Sequence, residues 1–127
     1  MRGIVLASID EQGTELRIET EIGPVQGIWR GDSNSPVNSG EALDIELEFP
    51  NARSWHDIAG TTAAGTRSAS PDPIFGTVVE LFEDGILMVA IGTSIVQVEL
   101  SDSPSADPTG QTVAIPSDDL EIYPTGV

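Results

Sequence analysis

Phe75–Gly92, FGTVVELFEDGILMVAIG, carries the strongest local structural signal in the chain. Gly76–Phe82 is an apolar, β-branched run, Glu83-Asp84-Gly85 interrupts it, and Ile86–Ile91 is a second apolar run. Asp-Gly between two such runs predicts a β-hairpin, because Gly supplies the positive φ that a tight turn needs. Ile86–Ile91 is apolar at every position, which predicts a central strand covered on both faces. Beyond it, Gly92-Thr93 reads as a turn and Ser94–Leu100 as a strand. Ser101–Gly110 is a loop by composition, Gln111–Ile115 a strand, and Leu120–Tyr123 a last short strand stopped by Pro124.

The N-terminal stretch repeats this arrangement in weaker form. Gly3–Ile9 reads as a buried strand and Asp10–Gly13 as a turn. Thr14–Ile22 alternates strictly, with Leu16, Ile18, Thr20 and Ile22 on one face and Glu15, Arg17, Glu19 and Glu21 on the other. A period of two means one buried face and one wet face. Gly23-Pro24 is read as the break after it, Val25–Arg30 as a short strand and Gly31–Gly40 as a loop. Glu41–Phe49 alternates again, with Asp44, Glu46 and Glu48 on the wet side. Helix competes there on composition, but the alternation and Pro50 favour a strand.

Laid over one another, Gly3-Ile4-Val5 matches Gly76-Thr77-Val78, and Leu16 and Ile18 match Leu87 and Val89. Leu43 and Ile45 match Val113 and Ile115, and the loops from Asp32 and Asp102 each reach a Gly eight residues on. The expected fold is therefore all-β: two related small β-barrel-like halves, of SH3-like or OB-like type, packed as one pseudo-symmetric barrel or sandwich. Residues 1–50 form the first half and 76–127 the second. Residues 51–75 read as a flexible linker with one helical turn capped by Ser54. The pattern is similar to duplicated small-barrel domains that bind oxyanions, such as molybdate-binding modules, where a loop also leads to Gly-x-x-Val and a further strand. Those modules use Lys, Ser and Thr donors; this chain has no Lys and no Arg after Arg67, and no family is assigned on the likeness.

The formal charge is -16, from 21 acidic residues against five arginines. It is split as -7 over residues 1–50, zero over 51–75 and -9 over 76–127. Such a balance argues against binding nucleic acid or anionic lipid and favours a basic protein partner. The absence of cysteine excludes disulfides and thiolate chemistry. No signal-peptide or membrane-spanning run is legible, so a cytoplasmic setting is expected.

Catalytic motifs are weak. His56 is the only histidine, and its neighbours Trp55 and Asp57 do not accompany a Gly-x-Ser-x-Gly elbow. The Asp/Ser loops at 32–38 and 102–107 lack the EF-hand pattern, and no phosphate-binding glycine motif occurs. No cofactor and no enzymatic activity are expected. The candidate partner-binding residues are Trp29 and Arg30 beside a loop, the carboxylate row Asp44, Glu46 and Glu48, and Trp55. Trp and Arg are enriched at binding hot spots, and the row gives about 7 Å between successive carboxylates along a strand. The expected function is a non-enzymatic acidic binding protein of the immunity or inhibitor kind. The alternatives are a small-ligand module with Trp29 and Arg30 at the mouth of its site, and an assembly component that pairs through sheet edges, homodimers included.

Overall fold

The computed structural model describes residues 1–8, 14–31, 37–59 and 72–125. The described residues form nine strands and one short helix: β1 (Arg2–Ser8), β2 (Glu15–Thr20), β3 (Gly23–Trp29), β4 (Ala42–Glu48), α1 (Trp55–Ile58), β5 (Ile74–Leu81), β6 (Ile86–Ile91), β7 (Ser94–Glu99), β8 (Thr112–Ile115) and β9 (Glu121–Pro124). The turn expected at Asp10–Gly13, part of the loop after Gly31 and residues 60–71 of the linker fall outside the described residues.

The strands form a closed five-stranded barrel, β1-β2-β3-β9-β4, and an open four-stranded sheet, β7-β6-β5-β8. The all-β expectation holds. Alternation sets the faces as the sequence implies: Leu16, Ile18, Ile45 and Leu47 are buried, while Arg17, Glu19, Asp44, Glu46 and Glu48 are exposed. Both sheets contribute to one hydrophobic core, with Leu16, Ile18, Ile45 and Ile122 from the barrel and Val78, Leu87, Val89, Val98 and Ile115 from the open sheet.

The same local bonding recurs in the two sets. Gly3 pairs with Leu43, and Gly76 with Val113. The register shifts between Val5 and Ala7 in β1 and between Val78 and Glu80 in β5. The Val5 amide donates to Glu41 O and the Val78 amide to Gln111 O, each at 2.9 Å. Gly40 and Gly110 donate back to Val5 O and Val78 O, and both sit at φ +87°, where a side chain would be strained. The two-residue turns Glu21-Ile22 and Gly92-Thr93 also touch: Glu21 Oε1 accepts from the Thr93 amide at 3.2 Å and from its hydroxyl at 2.5 Å.

Closure crosses between the sets. β9 lies parallel to β3 and antiparallel to β4, so residues 121–124 complete the barrel begun by β1–β4. In the other direction, Arg53 bridges Leu100 in parallel and Ala59 bridges Val113 in antiparallel fashion. The segment after β4 thus lies against the open sheet, and β9, which follows the open sheet in the chain, closes the barrel. Buried backbone groups must find partners, and these are the nearest ones available: Ile28 donates to Leu120 O, and Arg30 to Ile122 O.

Several local details differ from the sequence expectation. β1 is buried on one face only, with Ile4 and Leu6 exposed, and Ile22 falls beyond β2 and is exposed. Pro24 does not end a strand; it sits in β3 opposite Glu19, two residues after the turn. The side of β3 that would need its missing N–H faces away from β2, a place where Pro is tolerated. β6 is a central strand, but only one face is sealed: Leu87, Val89 and Ile91 are buried, and Ile86, Met88 and Ala90 are half-buried. The helical turn after Ser54 is present, but Ser54 does not cap it by its side chain. Asp102 does so from a distant loop, accepting the Trp55 amide at 2.8 Å and the Ser54 hydroxyl at 3.0 Å.

Candidate functional site

Five of the six residues singled out by sequence lie on or beside the barrel. Asp44, Glu46 and Glu48 project from the outer face of β4 and are exposed. β9 runs alongside, with Glu46 opposite Tyr123 and Glu48 opposite Glu121. Arg30 follows β3 on the other flank of β9 and is tied to Glu121 through Nε at 2.9 Å and through Nη2. Trp29 is half-buried and packs on the core, and its indole Nε1 is buried without a hydrogen-bond partner. Trp55, at the start of α1, is likewise packed on the core. The two Trp rings therefore spend much of their area on packing, and the exposed set is the carboxylate row.

Electrostatics around β9 follows from this crowding. Burial, together with the neighbouring Glu121 carboxylate, pushes the Tyr123 hydroxyl above its ordinary pKa. The Glu121 hydrogen bond raises that of Arg30, so this arginine is spent within the chain. Arg2 pairs with Asp44 at 3.6 Å, both well exposed, and Arg53 pairs with Asp119. Among the described residues, Arg17 is the one arginine with no carboxylate partner. Among the described residues, Glu46 and Glu48 have no arginine within ion-pairing distance.

Two grooves flank these elements, and sequence reasoning found neither. One, of about 530 Å³, separates β4 from β7; Glu46, Leu47 and Glu48 form one wall and Ser94–Gln97 the other, with Met1 and Thr125 at the ends. The second, of about 500 Å³, lies between the β2–β3 hairpin and the start of β5, with Arg17, Pro24 and Gln26 facing Ile74, Phe75 and Ser117. Both volumes fall in the range of small-ligand and peptide sites, roughly 300–1,000 Å³. Trp29 and Arg30 line neither. The missed signal was pairing: a groove arises where a strand edge goes uncovered, and alternation reports faces, not edges. Among the described residues no three His, Asp or Glu side chains converge as a metal ion would require, and no helix is long and apolar enough to cross a membrane.

No protein-family model, no curated protein and no solved structure matches this chain.

Proposed function

We propose that the chain is a non-enzymatic acidic binding protein that docks a basic protein partner, in the manner of immunity or inhibitor proteins. The observation that carries this reading is how the charges are spent. Arg2, Arg30 and Arg53 pair with the chain's own carboxylates, whereas Glu46 and Glu48 stand exposed on one wall of a groove with no ion pair among the described residues. In a molecule of charge -16, such a wall attracts a cationic surface and speeds encounter with it. The toxin-neutralising class is an analogy from size and charge. The test is the association rate with an isolated basic partner across ionic strength. A steered complex loses about tenfold or more in on-rate between low and high salt; a salt-indifferent rate would overturn the reading.

A second reading, a small-ligand module, draws on the groove at Arg17. A guanidinium with no carboxylate partner among the described residues, beside Ile22, Pro24 and Phe75, suits a ligand with one anionic group and an apolar body. Its test is a thermal shift with small aromatic carboxylates that disappears in Arg17→Ala.

For the architecture, we read the two strand sets as related small-barrel units of SH3-like or OB-like type. The shared order β3-β2-β1-β4 and β7-β6-β5-β8, and the matched bonds at Val5 and Val78, support that reading. Matched substitutions in the two sets test it, as argued in the Discussion.

A further inference from the structure

We infer that the partner is held as an added β-strand along the free edge of β7, and that the docking segment is extended with Lys or Arg at alternate positions. This rests on the acidic-docking reading above and specifies how that docking is made. β7 pairs with β6 along its whole length on one side. On the other side, among the described residues, its backbone bonds go only to Arg53, whose amide donates to Glu99 O and whose carbonyl accepts from the Ser101 amide, each at 2.8 Å, while β4 flanks it across the groove. Backbone groups alternate in direction along a strand of an antiparallel pair. Since Glu99 points its carbonyl away from β6, Gln97 and Ile95 direct their N–H and C=O groups the same way. Among the described residues no other strand takes them.

A free edge invites pairing, and proteins blunt such edges with proline or charge. β3 and β7 make the comparison directly. Counting from their turns, Gly23 corresponds to Ser94, Pro24 to Ile95 and Gln26 to Gln97. At the edge position where β3 places a proline with no donor, β7 places Ile95, 53% exposed. One edge is closed to strand addition and the other is open to it.

The groove supplies the chemistry of the occupant. Glu46 and Glu48 stand across from Ser94–Gln97. Alternate residues of an extended segment repeat about every 6.8 Å, which is also the repeat of Glu46 and Glu48 along β4. A segment bonded to Ile95 and Gln97 through its backbone therefore presents every second side chain at the carboxylate spacing. This is strand addition with charged selection of side chains. A second copy of the chain is a poorer occupant, because edge-to-edge pairing brings two molecules of charge -16 together with Glu46, Glu48 and Glu99 near the seam.

The probe is a short capped peptide of alternating lysine and valine, with a companion N-methylated at every residue. Both carry the same charge, but the companion cannot pair along an edge. The full chain is expected to bind the plain peptide, to protect the Ile95 and Gln97 amides from hydrogen exchange, and to bind the companion roughly tenfold or more weakly, as expected for losing one or two hydrogen bonds. Ile95→Pro, which places on β7 what β3 already carries, is expected to weaken the plain peptide to the same degree; Glu46→Gln with Glu48→Gln weakens it and flattens its salt dependence. Equal binding of the two peptides overturns strand addition and leaves acidic docking standing. Failure of both to bind at low salt overturns both readings. Protection of the β7 amides in a dimer without peptide also overturns the inference, because the edge is then covered by a second copy. Should Ile95→Pro fail to fold, the peptide pair still decides.

Discussion

Arg53 and Asp119 form an ion pair where the two closing segments cross. Arg53 Nη2 donates to Asp119 Oδ1 and to Pro116 O, the latter at 3.2 Å, while Asn51 Nδ2 donates to Asp119 Oδ2 at 2.7 Å. The side chains are only 11% and 19% exposed. Arg53 lies beside β7, and Asp119 stands two residues before β9. One contact thus fastens the segment that leaves the barrel to the segment that returns to it.

Removing one member of a largely buried pair strands the other's charge, and this costs more than the pair itself contributes. Asp119→Ala is therefore expected to lower the unfolding free energy by about 3 kcal/mol, read by urea denaturation. A loss below about 0.5 kcal/mol, the range of ordinary surface changes, would mean the crossing is not fastened here.

Several carboxylates couple folding to pH. Hydrogen bonds from the Trp55 amide and the Ser54 hydroxyl hold Asp102 below its ordinary pKa, and Thr93 does the same for Glu21. Burial works to raise Asp119, but its bonds to Arg53 and Asn51 outweigh it and leave the group lowered. The unfolded chain therefore takes up these protons at a higher pH than the folded one. The stability they provide is complete above the unfolded carboxylate range, about pH 4, and is lost as pH falls below it through the lowered folded values. The melting temperature is expected to drop across that window and to drop less steeply in Asp102→Asn. Identical acid profiles for the two proteins would show that the Asp102 cap is not linked to folding.

Gly76 is fixed by lack of space. A Cβ there would meet Val89 Cγ1 at 2.5 Å and Ala90 O at 2.8 Å. Gly3, at the matching place in β1, faces Ile18 and the Glu19 carbonyl in the same manner. Gly3→Ala and Gly76→Ala are each expected to destabilise by about 1–3 kcal/mol, the usual cost of overpacking. Calorimetry on the two variants would show comparable drops; a large loss at one position and none at the other would separate the two strand sets.

Val89 and Ile95 test the faces of the open sheet. Val89 is fully buried in β6, so Val89→Asp places an unpaired carboxylate in the core and is expected to abolish cooperative unfolding. Ile95→Asp, on the exposed side of β7, is expected to change stability by less than about 0.5 kcal/mol. Circular dichroism melts of the two variants suffice, and a cooperatively folded Val89→Asp protein would contradict the burial.

Faces were legible in the sequence and partners were not. Alternation at Leu16–Ile18 and Ile45–Leu47 marks the buried side because each residue reports its own surroundings. The Asp84-Gly85 hairpin was legible because the turn chemistry is local: Gly85 has φ +88° and Asp84 Oδ1 accepts the Ile86 amide. The β3–β9 pairing joins Trp29 to Ile122, and no local pattern announces a contact across that length of chain. Pro24 read as a breaker because its missing donor matters only if the edge it faces is occupied. The carboxylate row was found as a set, but the groove that gives Glu46 and Glu48 a facing wall depends on where β7 lies.

The crossing also bears on how the protein is made. A ribosome delivers β1–β4 before β9, and at about 5–20 residues per second the interval is on the order of 4–15 s. Throughout that interval the barrel lacks its fifth strand, and β3 and β4 each present a bare margin to the cell. Asp44, Glu46 and Glu48 lie along one of those margins. Charges flanking an apolar strand act as gatekeepers against aggregation. The row that stands exposed on the finished barrel is also, in the nascent one, a guard against premature company.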